Sequence, residues 1–330
     1  MNPAYYSISR LLKYNIKSFI NSFQDFIDPT LLGKNKNLKN IHEGERCIIF
    51  GTGSSLNELE ISQFSDEVTF GGNFLHYHPD FHNLNLDYFV SCPSHRTLKK
   101  NYSKVVYADS TIYNEKDIEV WLGEDLLATM SVDPLFYFNH INKVLDKNTR
   151  LFLGSKSSKF FKNNNFFNER EIYYLCGSEP ILLAKNLVFD LSKPIPFLES
   201  LVFTMLAIAF YMGFKEIILI GCDYSLKPCR EFHFYDEIRI SKTVNKEIAL
   251  QWINKIAKAR KVEVYNILED EEYYKPIFVS YNRNRDKHKV VNNFAESIGV
   301  KIFNIVPVGF SSPVYHGVSW QSIVKNVSSV

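Results

Sequence analysis

The chain has 330 residues, with 38 Lys+Arg against 36 Asp+Glu and a formal net charge of +2. Hydrophobic residues make up 45% and charged residues 22%, which excludes wholesale disorder, and the near-neutral balance offers no case for nucleic acid. Five cysteines (47, 92, 176, 222 and 229) with no Cys-x-x-Cys pair exclude a zinc ribbon and a secreted disulfide framework, and a reducing cytoplasm is the simplest home.

The N-terminus lacks the short apolar core and small-residue cleavage site of a signal peptide. Residues 5–27 place Ile8, Leu11, Leu12, Ile16, Phe19, Ile20, Phe23 and Ile27 on one helical face, with Arg10, Lys13 and Lys17 elsewhere on the wheel. Such a helix packs on its own domain or on a second subunit of a homo-oligomer, or lies as a basic amphipathic helix on the inner face of a membrane. Residues 33–45 are polar and punctuated, and read as a linker. The predicted organisation is therefore an N-terminal helix and linker over 1–45 and one large domain over 46–330.

From Arg46 the pattern changes to short continuous apolar runs, the mark of strands buried on both faces. These are Arg46–Phe50, Val68–Phe70, Leu86–Val90, Lys104–Tyr107, Arg150–Leu153, Glu171–Leu175, Ile217–Ile220, Val262–Tyr265 and Val300–Phe303. Helical patterns lie between them at Leu198–Met212, stopped by Gly213, at Val244–Ala259 and at Lys287–Ile298. Alternation of this kind predicts an α/β, Rossmann-like, doubly wound and mostly parallel sheet. The longest uncharged apolar run, Ser200–Phe214, has 15 residues, short of the roughly 18 that span a bilayer, so it reads as a buried helix.

Open parallel sheets bind ligands beyond the carboxyl ends of their strands, so the residues that follow each strand are the candidates. Gly51-Thr52-Gly53-Ser54-Ser55 follows the first strand. Glycines there let a phosphate approach backbone N–H groups, or they serve a structural tight turn. Ser55 and Glu58 have capping-box spacing, which predicts a helix start. The third glycine of a dinucleotide fingerprint and the lysine of a Walker A loop are both missing.

Gly71-Gly72-Asn73 ends the second strand, where Asn73 supplies one hydrogen-bonding amide or occupies a left-handed turn. Ser91-Cys92-Pro93-Ser94-His95-Arg96 ends the third, where Cys92 has no evident partner to make it a nucleophile. The densest cluster is Gly221-Cys222-Asp223-Tyr224-Ser225 with Phe232-His233-Phe234-Tyr235-Asp236 shortly after it. A histidine there can act as a base near neutral pH, and tyrosine hydroxyls can donate to a departing phosphate. The same residues also suit a structural histidine among core aromatics. Asp-x-Asp is absent from the chain, which points to chemistry without a metal.

The order Cys-Ile-Ile-Phe-Gly-Thr-Gly-Ser-Ser-Leu (47–56), Thr-Phe-Gly-Gly-Asn (69–73), Leu-Asp-Tyr-Phe-Val (86–90), Gly-Phe-Lys-Glu-Ile-Ile-Leu-Ile-Gly-Cys-Asp-Tyr-Ser (213–225) and Phe-His-Phe-Tyr-Asp (232–236) resembles two related bacterial groups. One is the lipooligosaccharide sialyltransferases of glycosyltransferase family 42. The other is the MptE-like group, named for a 6-hydroxymethylpterin diphosphokinase. The first resemblance implies a metal-independent, inverting transfer of sialic acid or a related nonulosonic acid from a CMP-activated donor to a bacterial surface glycan such as lipopolysaccharide or capsule. It implies no cofactor. Gly51, Thr52, Gly53, Ser54, Ser55, Asn73, Ser94, Ser200 and Asp223 would surround the donor nucleotide. Tyr224 or Tyr235 would stabilise the leaving phosphate, and His233 would be the base. His288 is a rival base, because the family's histidine lies nearer the following helix. This chain departs from the family in having Ser54 in place of a proline and Cys92 in place of an Asn or Asp. The second resemblance implies an ATP- and Mg²⁺-dependent diphosphokinase, and a non-catalytic nucleotide-binding protein of a glycan-assembly complex is the third expectation.

Overall fold

The computed structural model describes residues 30–92, 134–180, 187–197, 200–223, 286–305 and 314–319. Ten strands lie among the described residues: β1 (Arg46–Phe50), β2 (Val68–Gly72), β3 (Tyr88–Ser91), β4 (Arg150–Gly154), β5 (Ile172–Leu175), β6 (Gly177–Pro180), β7 (Ile195–Phe197), β8 (Glu216–Ile220), β9 (Lys301–Ile305) and β10 (His316–Val318). Eight of them form one sheet in the order β10-β9-β8-β1-β2-β3-β4-β5, while β6 and β7 pair separately. Every pairing is parallel. The chain builds outward from β1 through β5, then returns to the other side of β1 with β8, β9 and β10. The reversal of direction between β1 and β8 is the topological switch point of a Rossmann-like sheet.

Helices α1 (Pro134–Val144), α2 (Ser158–Asn163), α3 (Leu201–Met212) and α4 (286–297) cover both faces of the sheet. The two-residue period of a strand explains how continuous apolar runs serve two cores at once. Cys47, Ile49, Ile217 and Leu219 point to the side of α3 and α4, whereas Ile48, Phe50, Ile218 and Ile220 point to the side of α1 and α2. All ten residues from Phe203 to Met212 are buried, so α3 is apolar all round because it is surrounded by protein. Among the described residues no helix is long and apolar enough to cross a membrane.

The polar stretch expected to be a linker is instead packed onto the domain. Asn35 is fully buried and donates through Nδ2 to the carbonyls of Tyr174 and Leu191, each at 2.7 Å. The N–H groups of Asn40, His42 and Gly44 donate to the carbonyls of Tyr211, Met212 and Gly213 at 3.1, 2.9 and 3.1 Å. The last carbonyls of a helix have no intrahelical partner, so this segment completes the end of α3. Gly213, at φ 93°, turns the chain there, and a Cβ would come within 3.0 Å of Glu43 Cα.

The expected strands at Lys104–Tyr107 and Val262–Tyr265, the helix at Val244–Ala259 and the amphipathic helix at 5–27 lie outside the described residues. Ion pairs gather at the amino ends of the strands, with Arg46 bonded to Glu67 and Arg150 Nε 3.1 Å from Glu171. The carboxyl ends carry glycines, serines, Asn73 and the carboxylate of Asp223 instead.

Candidate functional site

The ends of β1 and β8 stay in register beyond the strands themselves. Gly51 N–H donates to Ile220 O at 2.7 Å, and Gly53 N–H donates to Gly221 O at 2.8 Å. A Cβ on residue 51 would stand 2.3 Å from Gly221 O and 2.9 Å from Cys222 Sγ. On residue 53 it would stand 2.3 Å from Asp223 Oδ2. The spacing Gly-x-Gly is therefore enforced by the close approach of the β8 end, and two of its amides are engaged within the protein.

The capping box read from Ser55 and Glu58 does not form. Residues Ser54–Glu58 make a single 3-10 turn whose N-cap is Gly53, with no side-chain cap. Ser55 turns instead to Asp223, giving its N–H to Oδ2 at 2.6 Å and its hydroxyl to Oδ1. A carboxylate accepting two hydrogen bonds makes a charge-assisted clasp across the switch point. It fixes the 51–55 loop against the end of β8, so Asp223 acts on this loop before it can act on any ligand.

Gly51→Ala should destabilise the fold by about 1–3 kcal/mol, because the methyl meets backbone rather than a movable side chain. Gly33 supplies the control. It has helical φ −58° and ψ −37° and nothing within 4 Å of a built Cβ. Gly33→Ala should be neutral or stabilising by up to about 1 kcal/mol. Chemical denaturation of the two variants checks the contrast, and equal stabilities would refute the packing account.

At the end of β2, Asn73 is exposed and left-handed at φ 49°. The left-handed turn and the hydrogen-bonding amide, read from the sequence as alternatives, are compatible in one residue. A Cβ on Gly72 would meet Val90 O at 2.2 Å and Leu201 Cδ2 at 2.4 Å, so the first turn of α3 sits against the end of β2. Ser200 is the N-cap of α3, and its side chain makes no capping bond. The 51–55 loop, Asn73, Ser200 and Asp223 thus share the carboxyl edge of three adjacent strands.

Behind this edge, Cys222 is buried, and its carbonyl accepts from Asn304 Nδ2 at 3.1 Å. Burial pushes its thiol up. His288 has no exposed surface. Its ring lies 3.8 Å from that of Phe203, its Nδ1 shares a hydrogen bond with the Tyr315 hydroxyl, and desolvation holds its pKa well below the ordinary value. In this arrangement no part of its ring is open to solvent.

Ser94, Tyr224, His233 and Tyr235 lie outside the described residues, and Cys92 is exposed just past β3. Sequence reasoning missed Tyr137 and His76. Tyr137 Oη–H donates to the Asn73 carbonyl at 2.5 Å, and His76 Nδ1 lies 3.2 Å from the same oxygen. Tyr137 is 64 positions from Asn73, so no local spacing could have paired them. The aromatic run Phe74-Leu75-His76-Tyr77-His78 directly after Asn73 was the available signal.

No family model and no curated protein matches the chain. Among solved structures it is similar to the sialyltransferase CstII from Campylobacter jejuni, in complex with the substrate analogue cytidine-5′-monophosphate. The identity is 15% over 83% of this chain and 85% of that one, with a TM-score of 0.31.

Proposed function

We propose that this chain is an inverting, metal-independent glycosyltransferase that takes sialic acid or a related nonulosonic acid from a CMP-activated donor to a bacterial surface glycan. The observation that carries the reading is the convergence of the 51–55 loop, Asn73 and the start of α3 on one switch point, where Rossmann-like sheets bind nucleotides. The motif order along the chain, from the Gly-Thr-Gly-Ser-Ser loop to Gly-Cys-Asp-Tyr-Ser, supports the sialyltransferase-like assignment.

In this mechanism His233 takes the proton from an acceptor hydroxyl. That oxygen bonds to the anomeric carbon as the bond to phosphate breaks, and CMP leaves with the electron pair. Tyr224 or Tyr235 donates a hydrogen bond to the departing phosphate. Donors set in place for developing charge are usually the largest catalytic term. Asn73, Thr52, Ser54, Ser94 and Ser200 hold the nucleotide. Gly51, Gly53, Ser55 and Asp223 keep the loop in shape. A diphosphokinase would need carboxylates for Mg²⁺, and the bonds from Ser55 N–H and Oγ–H already engage Asp223.

Calorimetric titration and thermal unfolding with CMP, CMP-sialic acid, UDP-sugars and ATP, each with Mg²⁺ and with EDTA, test the assignment. CMP compounds at a hundred times their Kd should stabilise the protein by about 2.7 kcal/mol irrespective of Mg²⁺. Binding of ATP alone, and only with Mg²⁺, would give the diphosphokinase reading instead.

A further inference from the structure

The Asn73 carbonyl is held from two directions. Tyr137, in the first turn of α1, and His76, three residues along the chain, both aim a donor at one oxygen. A carbonyl oxygen has two lone pairs, so these two bonds fill its capacity. Because the oxygen can only accept, the Tyr137 proton and the Nδ1 proton of His76 must both point to it. Nε2 of His76 then carries no proton. That atom is buried without a hydrogen-bond partner, and His76 is only 7% exposed. Burial and the nearby His140 lower its pKa to about 3, which keeps the ring neutral. Burial also pushes the Tyr137 phenol up, so it stays a donor.

We infer that Tyr137 and His76 are positioning residues, which clamp the Asn73 carbonyl and thereby fix the direction in which the exposed Asn73 amide leaves the sheet edge. A left-handed residue other than glycine costs free energy and persists where its surroundings over-determine it. The clamp is itself anchored. The Tyr137 ring packs on His76 at 5.6 Å and on Phe74 at 5.4 Å, and the adjacent Phe138 packs on Phe161 of α2 at 4.8 Å. The inference rests on the proposed function only where it says what the amide contacts, namely the donor nucleotide.

The test uses the full chain with Tyr137→Phe and Asn73→Gly, singly and together, and two readouts. The first is hydrogen exchange at the amides of Tyr77 and His78, whose N–H groups close the turn on Phe74 O and Leu75 O at 2.9 Å each. The second is CMP affinity by calorimetry. Tyr137→Phe keeps the ring and its packing, so it should fold. It should speed exchange at those amides about tenfold and weaken CMP about five- to tenfold, as the loss of one neutral hydrogen bond implies. In the Asn73→Gly background it should cost no further CMP affinity, since the side chain it positions is gone. His76→Asn, which keeps a donor near the Nδ1 position, should retain more affinity than His76→Leu.

Unchanged exchange in Tyr137→Phe would overturn the clamp. So would an equal loss of CMP affinity with and without the Asn73 side chain, which would mark a purely structural bond. If exchange accelerates but the wild-type protein binds no CMP, the clamp stands and the donor assignment falls.

Discussion

Between pH 7 and pH 5 the folded state should lose about 2 kcal/mol of stability through His76 alone, with His288 adding a loss in the same direction. His76 and His288 are both more than nine-tenths buried, and desolvation is the largest cause of the lowered pKa of each, with His76 brought to about 3. In the unfolded chain both return to about 6.5. At pH 5 the unfolded state therefore binds a proton at His76 that the folded state does not, and His288 acts in the same direction, since stability rises with pH wherever the unfolded state binds more. Their contribution is fully present above about pH 6.5 and is lost as pH falls from there toward the folded values. His76 costs about 1.4 kcal/mol per pH unit over about 1.5 units, or about 2 kcal/mol. A loss of about 2 kcal/mol is already an appreciable share of the 5–15 kcal/mol typical of a domain.

His78, also lowered by burial, acts in the same direction. The carboxyl groups of Asp80, Asp190 and Glu171 are held down by hydrogen bonds and nearby cations, so their contribution is lost only at more acid pH. Urea unfolding at pH 7, 6 and 5 measures the slope. A double variant, His76→Asn with His288→Gln, should lower the slope, by about one proton from His76 and further in the same direction from His288. An unchanged slope in that variant would show that other groups carry the acid sensitivity.

The parts of the fold legible in the sequence were those where one strong local signal met the tertiary demand. Continuous runs such as Cys47–Phe50 and Ile217–Ile220 could only be buried on both faces, and their parallel pairing around β1 follows. Gly213 stopped α3 where a left-handed glycine was needed. The short edge strand β10 carries little apolar pattern, and it gave no such signal. The polar segment 33–45 misled because its role is to satisfy carbonyls at the end of α3, a function that asks for backbone and one buried amide rather than apolar side chains. At the site, the glycines of the first loop were visible but their cause was not. A pattern of small residues reports a close approach, and cannot say whether the approaching atoms belong to a ligand or to Gly221 and Asp223. The capping box failed for a related reason. Ser55 had a stronger partner 168 positions away, and local spacing does not register a distant carboxylate.

Replacing His233 with alanine should lower turnover by about 10²- to 10⁴-fold, the usual contribution of a general base. The residue follows the Gly221-Cys222-Asp223 end of β8 by ten positions, on the connection that leaves the switch point, where a parallel sheet presents its ligand-binding groups. An imidazole with an ordinary pKa near 6.5 is largely neutral at pH 7 and can accept a proton there. The two candidate histidines should separate in kind. His288 is enclosed by Phe203 and Tyr315, so His288→Gln should lower the unfolding midpoint while leaving turnover per folded molecule within a few-fold of normal. His233→Ala should leave the unfolding midpoint and CMP affinity nearly unchanged and remove the chemical step. Asn73→Gly keeps the left-handed turn available and deletes only the amide, so it should raise the KM for the donor with little change in kcat. Steady-state kinetics on the three variants, normalised to folded protein, decides among these roles. If His288→Gln abolishes turnover while His233→Ala remains active, the buried histidine must become accessible during the reaction, and the base is assigned to α4 rather than to the connection after β8.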